Sequence, residues 1–410
     1  TDTDTDTDIE PTLDDCDAIL AADPGAASGV FTVRVPTGAD VDGWCDFDST
    51  GSVWTRQAAP IRTAGGTVDG LLEAIIADPD VRVDDDGTWH IYYQGSRAIQ
   101  LGMDLEQMMI VHASSPDGVS WTVDDAPLLT SPADPTAWDA THSETPSVVY
   151  DPNADPGTEY KLYYSGASVD HPLGFPWYQL GVAISADGVN FTRLPANLSP
   201  YNQVGAMLRA EDVLGDVAGV TGGLLADPEV VIDASGQYHL FTSTYGHDDN
   251  LDTLAWGITH LVSPDGIYWL PGPDGAQPNP ELGGQQPSVS FNPSTSLWEM
   301  IYTADSDEER LTMPSVFNPS MGVLVATSPD LAAWTAKPIR DFWWDGDNPE
   351  ERFGLLTGAA LTIEDGQRWL FFTGWGENNI PAGMYVPTQT GYDAAALNLL
   401  LATRAAASPI

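Results

Sequence analysis

Basic residues are scarce in this sequence. Lys and Arg together number 14 among 410 residues, whereas Asp and Glu number 60, so the formal net charge is −46 at pH 7. A surface of this sign repels nucleic-acid phosphates and anionic lipid headgroups, which argues against nucleic acid as a partner. Two explanations of the charge stay open. One is adaptation to salt, which screens the self-repulsion, and the other is a cation-binding surface.

Long apolar runs are absent and cysteine is rare. No run is long enough to cross a bilayer, so we expect no membrane insertion. Residues 1–27, which open on repeated Thr-Asp, are typical of a disordered acidic tether and favour an extracellular or surface-tethered protein. In an exported protein a disulfide between Cys16 and Cys45 would pin this N-terminal extension, and two buried free thiols are the alternative.

A five-fold repeat of paired strands organises the rest of the chain. In each copy an apolar-alternating strand, a polar turn and an aromatic-rich strand follow one another. The heads of the first strands carry four prolines and, in the fifth copy, a glycine: Pro79, Pro146, Pro228, Pro287 and Gly358. Strand pairs repeated at this period are typical of a β-propeller, in which each copy is one blade.

The segments between the copies complete the blades. After each of the first three hairpins another strand leads to a turn of the form S-x-D-G-x-x-aromatic, ending at Trp121, Phe191 and Trp269, and a degenerate copy ends at Trp334. The Asp-Gly pair suits a tight turn, because Gly accepts positive φ and Asp can hydrogen-bond to the following backbone. Each unit is therefore predicted to contain four antiparallel strands.

The two ends of the repeat region predict how the ring closes. Residues 48–56 read as an outer strand with no inner strands before it, and the segment from Asn398 reads as a third strand with no outer strand after it. Joining them removes an open sheet edge. The predicted fold is thus all-β, a five-bladed β-propeller over residues 28–410 whose last blade is closed by an N-terminal strand. The blades are expected near residues 76–123, 144–194, 226–270, 286–336, and 357–404 plus 53–56.

The candidate site lies where the innermost strands converge on the central channel. Asp78 and Asp227 directly precede a strand-head proline, and Glu144 stands two residues before another. Three carboxylates around one channel suit acid/base chemistry, because their mutual repulsion raises at least one pKa. Asp80 and Glu229, two residues further along the same strand face, are alternates. Capping of a turn before proline is the structural alternative for the Asp residues.

These features resemble the five-bladed propeller glycosidases, the superfamily of glycoside hydrolase families 43, 32, 62, 68 and 130. The strand heads ADP, ETP and ADP and the segments YKLYYSGA and LGVAISADGVNF carry the resemblance, which is closest to uncharacterised bacterial proteins related to family 43. It implies Asp78 as general base or nucleophile, Glu144 as general acid and Asp227 as the residue that tunes the acid. The superfamily order along the blades is Asp, Asp, Glu, whereas this chain has Asp, Glu, Asp.

The resemblance implies a glycoside hydrolase that acts on a poly- or oligosaccharide. A non-catalytic carbohydrate-binding or surface-interaction propeller is the alternative, favoured by the altered carboxylate order. A glycoside phosphorylase would need basic groups for phosphate, and their scarcity argues against it. Carbohydrate is the expected partner of a monomer that requires no cofactor.

Several side chains are candidates for holding a sugar, because aromatic rings and polar groups beside the acids perform this role in glycan sites. They are Trp138, Trp177, Trp375, Arg97 and Gln286. Blade packing is the alternative for the tryptophans, and a structural ion pair is the alternative for Arg97. Resemblance to family 43 also implies a possible calcium ion in the channel, with His142 as the candidate ligand. A hydrogen-bonded core histidine is the alternative there.

Overall fold

The structure, a computed structural model, describes the five blades and parts of the segment before them. The described residues are 19, 29–34, 40–45, 54–57, 59–63, 67–69, 71–98, 106–169, 177–273, 278–279, 282–304, 322–336, 342, 354–377 and 395–406. Cys16 lies outside these ranges, and no disulfide is present within them. The Cys16–Cys45 disulfide and the disordered tether over residues 1–27 therefore stay predictions.

Four short strands precede the first blade. Strands β1 (Gly29–Arg34) and β2 (Asp40–Cys45) pair with each other as a separate two-stranded sheet, which the sequence analysis did not foresee. Strands β3 (Thr55–Arg56) and β4 (Arg62–Thr63) instead join the last blade of the chain.

Five antiparallel sheets follow in chain order. The first contains β5 (Thr67–Val68), β6 (Leu71–Val83), β7 (Trp89–Ala98), β8 (Glu106–Ser115), β9 (Thr122–Val123) and β10 (Leu129–Thr130). The second contains β11 (His142–Tyr150), β12 (Tyr160–Ala167), β13 (Gln179–Ser185), β14 (Thr192–Arg193) and β15 (Ala206–Leu208). The third contains β16 (Gly222–Ile232), β17 (Tyr238–His247), β18 (Thr253–Ser263) and β19 (Leu270–Pro271). The fourth contains β20 (Gln285–Asn292), β21 (Leu297–Ala304), β22 (Gly322–Ser328) and β23 (Thr335–Ala336). The fifth contains β24 (Gly354–Glu364), β25 (Gln367–Glu377) and β26 (Ala395–Ala405) together with β3 and β4.

The sheets form a closed ring. Their first strands, β6, β11, β16, β20 and β24, contact one another in that order, and β24 contacts β6 again. In the last blade β3 pairs with β26, with Thr55 opposite Thr403 and Arg56 opposite Ala402. The predicted five-bladed propeller and its closure by an N-terminal strand are confirmed.

Little helix accompanies the strands. A 3₁₀ turn (Ala196–Leu198) lies within the second blade, between β14 and β15, and one turn of α-helix, α1 (Ala210–Leu214), lies between the second and third blades. Among the described residues, no helix has the length and apolar character that crossing a membrane requires.

The S-x-D-G turns have the geometry that their sequence predicts. In the first blade the carboxylate of Asp117 accepts hydrogen bonds from the backbone N–H groups of Val119 and Ser120, and Gly118 has φ +72°. These bonds lower the pKa of Asp117 to about 2, since they stabilise its ionised form. The degenerate fourth-blade copy places Leu331 at φ +64° where the others have Gly. Each turn thus satisfies its own backbone and delivers an aromatic residue to the next strand.

Aromatic rings and buried ion pairs hold neighbouring blades together. Trp89 of the first blade packs on Trp369 of the fifth with ring centroids 4.7 Å apart. Between the fourth and fifth blades, Arg368 contacts Glu299 at 2.7 Å, and both side chains are buried. The few basic residues are therefore used partly as ties within the ring.

Candidate active site at the strand heads

One backbone feature recurs at the head of every inner strand. Five residues adopt positive φ, between +48° and +57°: Asp78, Thr145, Asp227, Gln286 and Gly358. Each sits where the pairing register of its strand shifts, which identifies a β-bulge. In four blades the next residue is proline, which has no N–H to contribute to the ladder. The bulge turns the side chain before proline out of the sheet.

The five bulges meet at one pocket, which we call the mouth. Its lining contains the five residues with positive φ and the proline or Ala359 that follows each of them. Glu229 and Ser288, which each follow one of these prolines, complete the lining. Positions that are far apart in the chain thus become neighbours, as the repeat predicted. Glu144 does not take the place that Asp78 and Asp227 hold, because Thr145 occupies it in the second blade.

Hydroxyl groups on the second strands fix the bulges. Ser165 of β12 accepts a hydrogen bond from the backbone N–H of Asp227 at 2.9 Å, and its hydroxyl lies 2.5 Å from that of Thr145. One blade later, Ser243 of β17 makes the equivalent backbone contact, because its hydroxyl accepts a hydrogen bond from the N–H of Gln286 at 2.8 Å. Each serine ties its blade to the next, so the mouth is built on rigid strands.

The carboxylate of Asp78 is the mouth group of the first blade, and residues of two other blades contact it. Its Oδ1 accepts a hydrogen bond from Nε2 of Gln286 at 3.3 Å, although the two residues lie on non-adjacent blades. Oε1 of Gln286 in turn accepts from the hydroxyl of Thr303 at 2.7 Å, which orients the amide. Gly358 closes the other side, since a Cβ there would lie 2.3 Å from the same Oδ1. Only a glycine fits against Asp78.

Asp227 and Glu144 form the second part of the site. Burial raises the pKa of Asp227 to about 6, a hydrogen bond from Ser243 opposes the rise, and the charge of Glu144 adds to it. Glu144 is 3% exposed, and its Oε1 accepts a hydrogen bond from the hydroxyl of Tyr178 at 2.5 Å. Nδ1 of His142 lies 2.8 Å from the same oxygen. The site therefore combines a carboxyl group that keeps its proton near pH 6 with a carboxylate held by a tyrosine.

The alternates Asp80 and Glu229 take part in a ring of contacts between blades, and Glu229 also lines the mouth. Asp80 accepts a hydrogen bond from the N–H of Val148 in the second blade at 2.7 Å, and Glu229 accepts from that of Val289 in the fourth blade at 2.7 Å. Ser147 and Ser288 make the same contact at the same strand position in their blades. This repetition indicates a structural role for all four side chains.

Burial leaves these two carboxyl groups protonated over a wide pH range. It raises the pKa of Asp80 to about 7, against the opposing effect of the Val148 N–H. Burial, and after it the charge of Asp80, raises the pKa of Glu229 well above its ordinary value. A neutral carboxyl group avoids the cost of burying a charge, which the charge of Arg82 offsets only in part for Asp80.

The tryptophans expected to contact sugar pack within the second blade and its seam with the third. Trp138 stacks on Tyr164 with centroids 5.8 Å apart and donates to the carbonyl of Val204. Trp177 donates from Nε1 to the carbonyl of Gly223 at 2.7 Å and packs near Leu224. Neither ring lines the mouth. Both remain partly exposed, so their contact with a ligand stays a prediction.

The other residues predicted to bind sugar or metal are Gln286, Arg97, Trp375 and His142. Gln286 lines the mouth, as expected of a ligand-binding group. Arg97 and Trp375 belong to β7 and β25, but their side chains lie outside the described residues. His142 is one residue of the Glu144 cluster, and no group of three His, Cys, Asp or Glu among the described residues could hold a metal ion. The calcium site thus stays a prediction.

Sequence analysis missed Tyr178 and the serines behind the bulges. Tyr178 stands within the segment HPLGFPWYQ, where no motif distinguishes it from a packing residue. Ser165 and Ser243 occupy equivalent positions in the aromatic-rich strands YKLYYSG and YHLFTST. An alignment of the second strands, and not only of the first, could have found this pair.

Comparison with known proteins identifies the fold. No protein-family model matches the chain, and no curated protein sequence matches it. Solved structures do match. Zg3597, a family 117 glycoside hydrolase of the marine bacterium Zobellia galactanivorans, is 13% identical with a TM-score of 0.55, the match covering 88% of this chain and 94% of that one. The protein BT0996, in a structure described as an RGII complex, is 15% identical with a TM-score of 0.56 over 87% of this protein and 93% of that one.

A third structure comes from the GH130 family of mannoside phosphorylases, which contains glycoside hydrolases that target β-1,2 mannosidic linkages in Candida mannan. It is 13% identical, with a TM-score of 0.52 over 86% of this chain and 94% of that one. At such identities the similarity concerns the fold alone. The chain thus has the five-bladed propeller fold that these glycoside hydrolases share, and the resemblance inferred from its strand heads is confirmed at that level.

Proposed function

We propose that this protein is a glycoside hydrolase whose acid and base are carboxylates at the mouth of the propeller. One observation carries the proposal: separate blades bring Asp78 and Asp227 to one pocket, and the pKa of Asp227 is raised to about 6. Cleavage of a glycosidic bond needs a protonated carboxyl group for the leaving oxygen and an ionised one that activates water or attacks carbon. Asp227 supplies the protonated form near pH 6, and Asp78 is assigned the other role.

The electrostatics favour a division of roles that differs from the first expectation. Asp227 is the proton donor, because its pKa is raised to about 6, whereas the carboxyl group of Glu229 is engaged by the backbone N–H of Val289. Asp78, oriented by Gln286, is the base or nucleophile. Glu144 is the tuning residue, since its charge raises the pKa of Asp227. Glu144 and Asp227 thus exchange the roles that the resemblance implied. From the first blade to the third, the order becomes base, tuning residue and acid, as in the glycosidases that the sequence resembles.

The substrate is a poly- or oligosaccharide. Gln286 and Thr145 offer amide and hydroxyl groups at the mouth for sugar hydroxyls. Trp177 packs at the seam with the third blade and is proposed as a further sugar contact. Action on a glycan outside the cell fits the acidic tether expected at residues 1–27, and salt adaptation fits the net charge of −46. A monomer suffices, because each mouth residue comes from one chain.

A reducing-sugar screen over a panel of glycans, run at several salt concentrations, tests the proposal. The wild-type protein is compared with Asp78→Asn and Asp227→Asn, and Asp117→Asn serves as the control because it changes a first-blade carboxylate in an exposed turn. We expect turnover by the wild type and the control and its loss in both mouth variants. Activity that survives both mouth substitutions would refute the assignment.

A carbohydrate-binding propeller without catalysis is the second candidate. The enclosure of Asp78 between Gln286 and Gly358 favours it, because an enclosed carboxylate is less accessible to a sugar carbon. The same screen separates the candidates when glycan binding is measured in parallel. Binding without turnover by the wild type supports the second, and turnover supports the first.

A further inference from the structure

Tyr178 lies at the seam between the second and third blades, where it packs against the apolar cluster that contains Ala226, the residue before Asp227. It immediately precedes β13, and its carbonyl accepts a hydrogen bond from the N–H of Leu225 in β16 at 3.2 Å. Its ring stands nearly perpendicular to that of His142, with centroids 5.9 Å apart and planes at 81°. Groups from both blades therefore fix the ring, which leaves the hydroxyl at a defined position.

The hydroxyl acts only as a donor. It donates to Oε1 of Glu144 at 2.5 Å. Burial raises the pKa of Tyr178 well above its ordinary value, and the charge of Glu144 adds to the rise. Smaller contributions come from Asp227 and Asp78, which places Tyr178 within electrostatic reach of all three carboxyl groups of the site. A tyrosine in this setting keeps its proton and stabilises a carboxylate beside it.

Oε1 of Glu144 is approached from two sides. Nδ1 of His142 lies 2.8 Å away, in addition to the Tyr178 hydroxyl. The carboxylate is 3% exposed, so solvent does not compete for this oxygen. The tyrosine hydroxyl is thus placed to determine the orientation in which the Glu144 charge acts on Asp227.

We propose that Tyr178 is a positioning residue, which holds the Glu144 carboxylate in the one orientation that tunes Asp227. This inference rests on the proposed function, in which Asp227 donates the proton. Packing alone is the competing explanation, and the second blade contains a matched example of it. Tyr164 is buried and donates to the buried carboxylate of Asp139 at 2.9 Å, but Asp139 is not among the groups that shift the pKa of Asp227, as Glu144 is.

The test compares Tyr178→Phe with Tyr164→Phe in the full chain, on a glycan that the wild type hydrolyses. Misplacement of a catalytic group costs on the order of 100-fold in rate. We expect Tyr178→Phe to lower kcat by about this factor with KM little changed. Tyr164→Phe should lower the unfolding temperature by a similar amount and leave kcat within a few-fold of wild type. Equal kcat for the two variants, or a change in KM alone, would overturn the inference.

Proton NMR distinguishes failure of this inference from failure of the proposed function. A hydroxyl proton held between a buried tyrosine and a carboxylate at this distance resonates downfield of the amide protons. We expect such a signal in the wild type and in Tyr164→Phe, and its loss in Tyr178→Phe. Its absence from the wild type overturns the positioning role, with or without catalysis. Its presence in a protein that hydrolyses no glycan supports the fixed orientation of Glu144 and refutes the proposed function alone.

Discussion

The buried carboxyl group of Asp80 predicts a pH-dependent loss of stability that one substitution removes. Burial raises its pKa from 3.8 to about 7, whereas the hydrogen bond from the N–H of Val148 acts in the opposite direction. Between these pH values the folded protein keeps a proton that the unfolded chain has released. The free energy of unfolding therefore falls as the pH rises through this window, and below it the group has no effect.

The size of the effect follows from the shift in pKa. A shift of about three units, at 1.36 kcal/mol per unit, corresponds to about 4 kcal/mol. Asp80→Asn carries no charge and keeps an oxygen that can accept the N–H of Val148. We expect the variant to match the wild type at about pH 4 and to exceed its unfolding free energy by up to about 4 kcal/mol at about pH 8. Above about pH 7, where Asp80 is ionised, removal of its charge also lowers the pKa of Glu229, which adds to the gain.

Urea unfolding followed by tryptophan fluorescence, at constant ionic strength across this pH range, measures the difference directly. Asp117→Asn is the control, because the pKa of this exposed carboxyl group is lowered to about 2 and its contribution is constant above about pH 4. The difference between Asp80→Asn and wild type should grow with pH, whereas that of the control should stay flat. A pH-independent difference for Asp80→Asn, or a variant less stable than wild type at about pH 8, would refute the reasoning.

Three further predictions concern the ring and the mouth. Arg62 in the N-terminal strand β4 forms a buried ion pair with Glu73 of the first blade at 2.8 Å. Glu73→Gln breaks this pair and should lower the free energy of unfolding in urea by about 3 kcal/mol, and a loss below about 0.5 kcal/mol would contradict this prediction. Activity should decline above about pH 6, because Asp227 then loses its proton. Ser243→Ala removes a hydrogen bond that lowers the pKa of Asp227, so the alkaline limb of kcat/KM should move to higher pH. A move to lower pH would contradict this prediction. Gly358 has φ +57°, and a Cβ there would lie 2.3 Å from the carboxylate of Asp78. Gly358→Ala should therefore lower the free energy of unfolding by at least about 1 kcal/mol and remove most of the activity. Wild-type stability and turnover in this variant would show that the mouth is not so tightly packed.

The strand repeat predicted the fold well because its signals are local. Alternating apolar residues, S-x-D-G turns and strand-head prolines each act within a few residues, and five copies reinforce one another. The sequence has an outer strand before the first blade that lacks inner strands, and it has no outer strand after β26. These two features predicted the ring closure, in which β3 pairs with β26. The β1–β2 hairpin lacked such a signal, because it repeats no other part of the chain.

The candidate site was predictable in position and not in electrostatics. The prolines marked the five strand heads that meet at the mouth. Spacing along the chain could not show that Thr145, and not Glu144, takes the bulge of the second blade, since a bulge depends on how two strands pair. The raised pKa of Asp227 arises from burial against neighbouring blades, which no single strand encodes. For the same reason Asp80 and Glu229 resembled catalytic alternates in sequence and act between blades in the structure.

The bulges at the mouth carry a conformational cost. Positive φ costs a residue with a side chain on the order of 1 kcal/mol, and glycine adopts it freely. Only the fifth blade uses glycine, whereas the other four hold Asp78, Thr145, Asp227 and Gln286 in the strained conformation. Backbone strain that recurs at one pocket and retains polar side chains is typical of ligand or catalytic sites. The four side chains therefore contribute at the mouth something that glycine could not, and the proposed function assigns the acid and base roles to the two carboxyl groups among them.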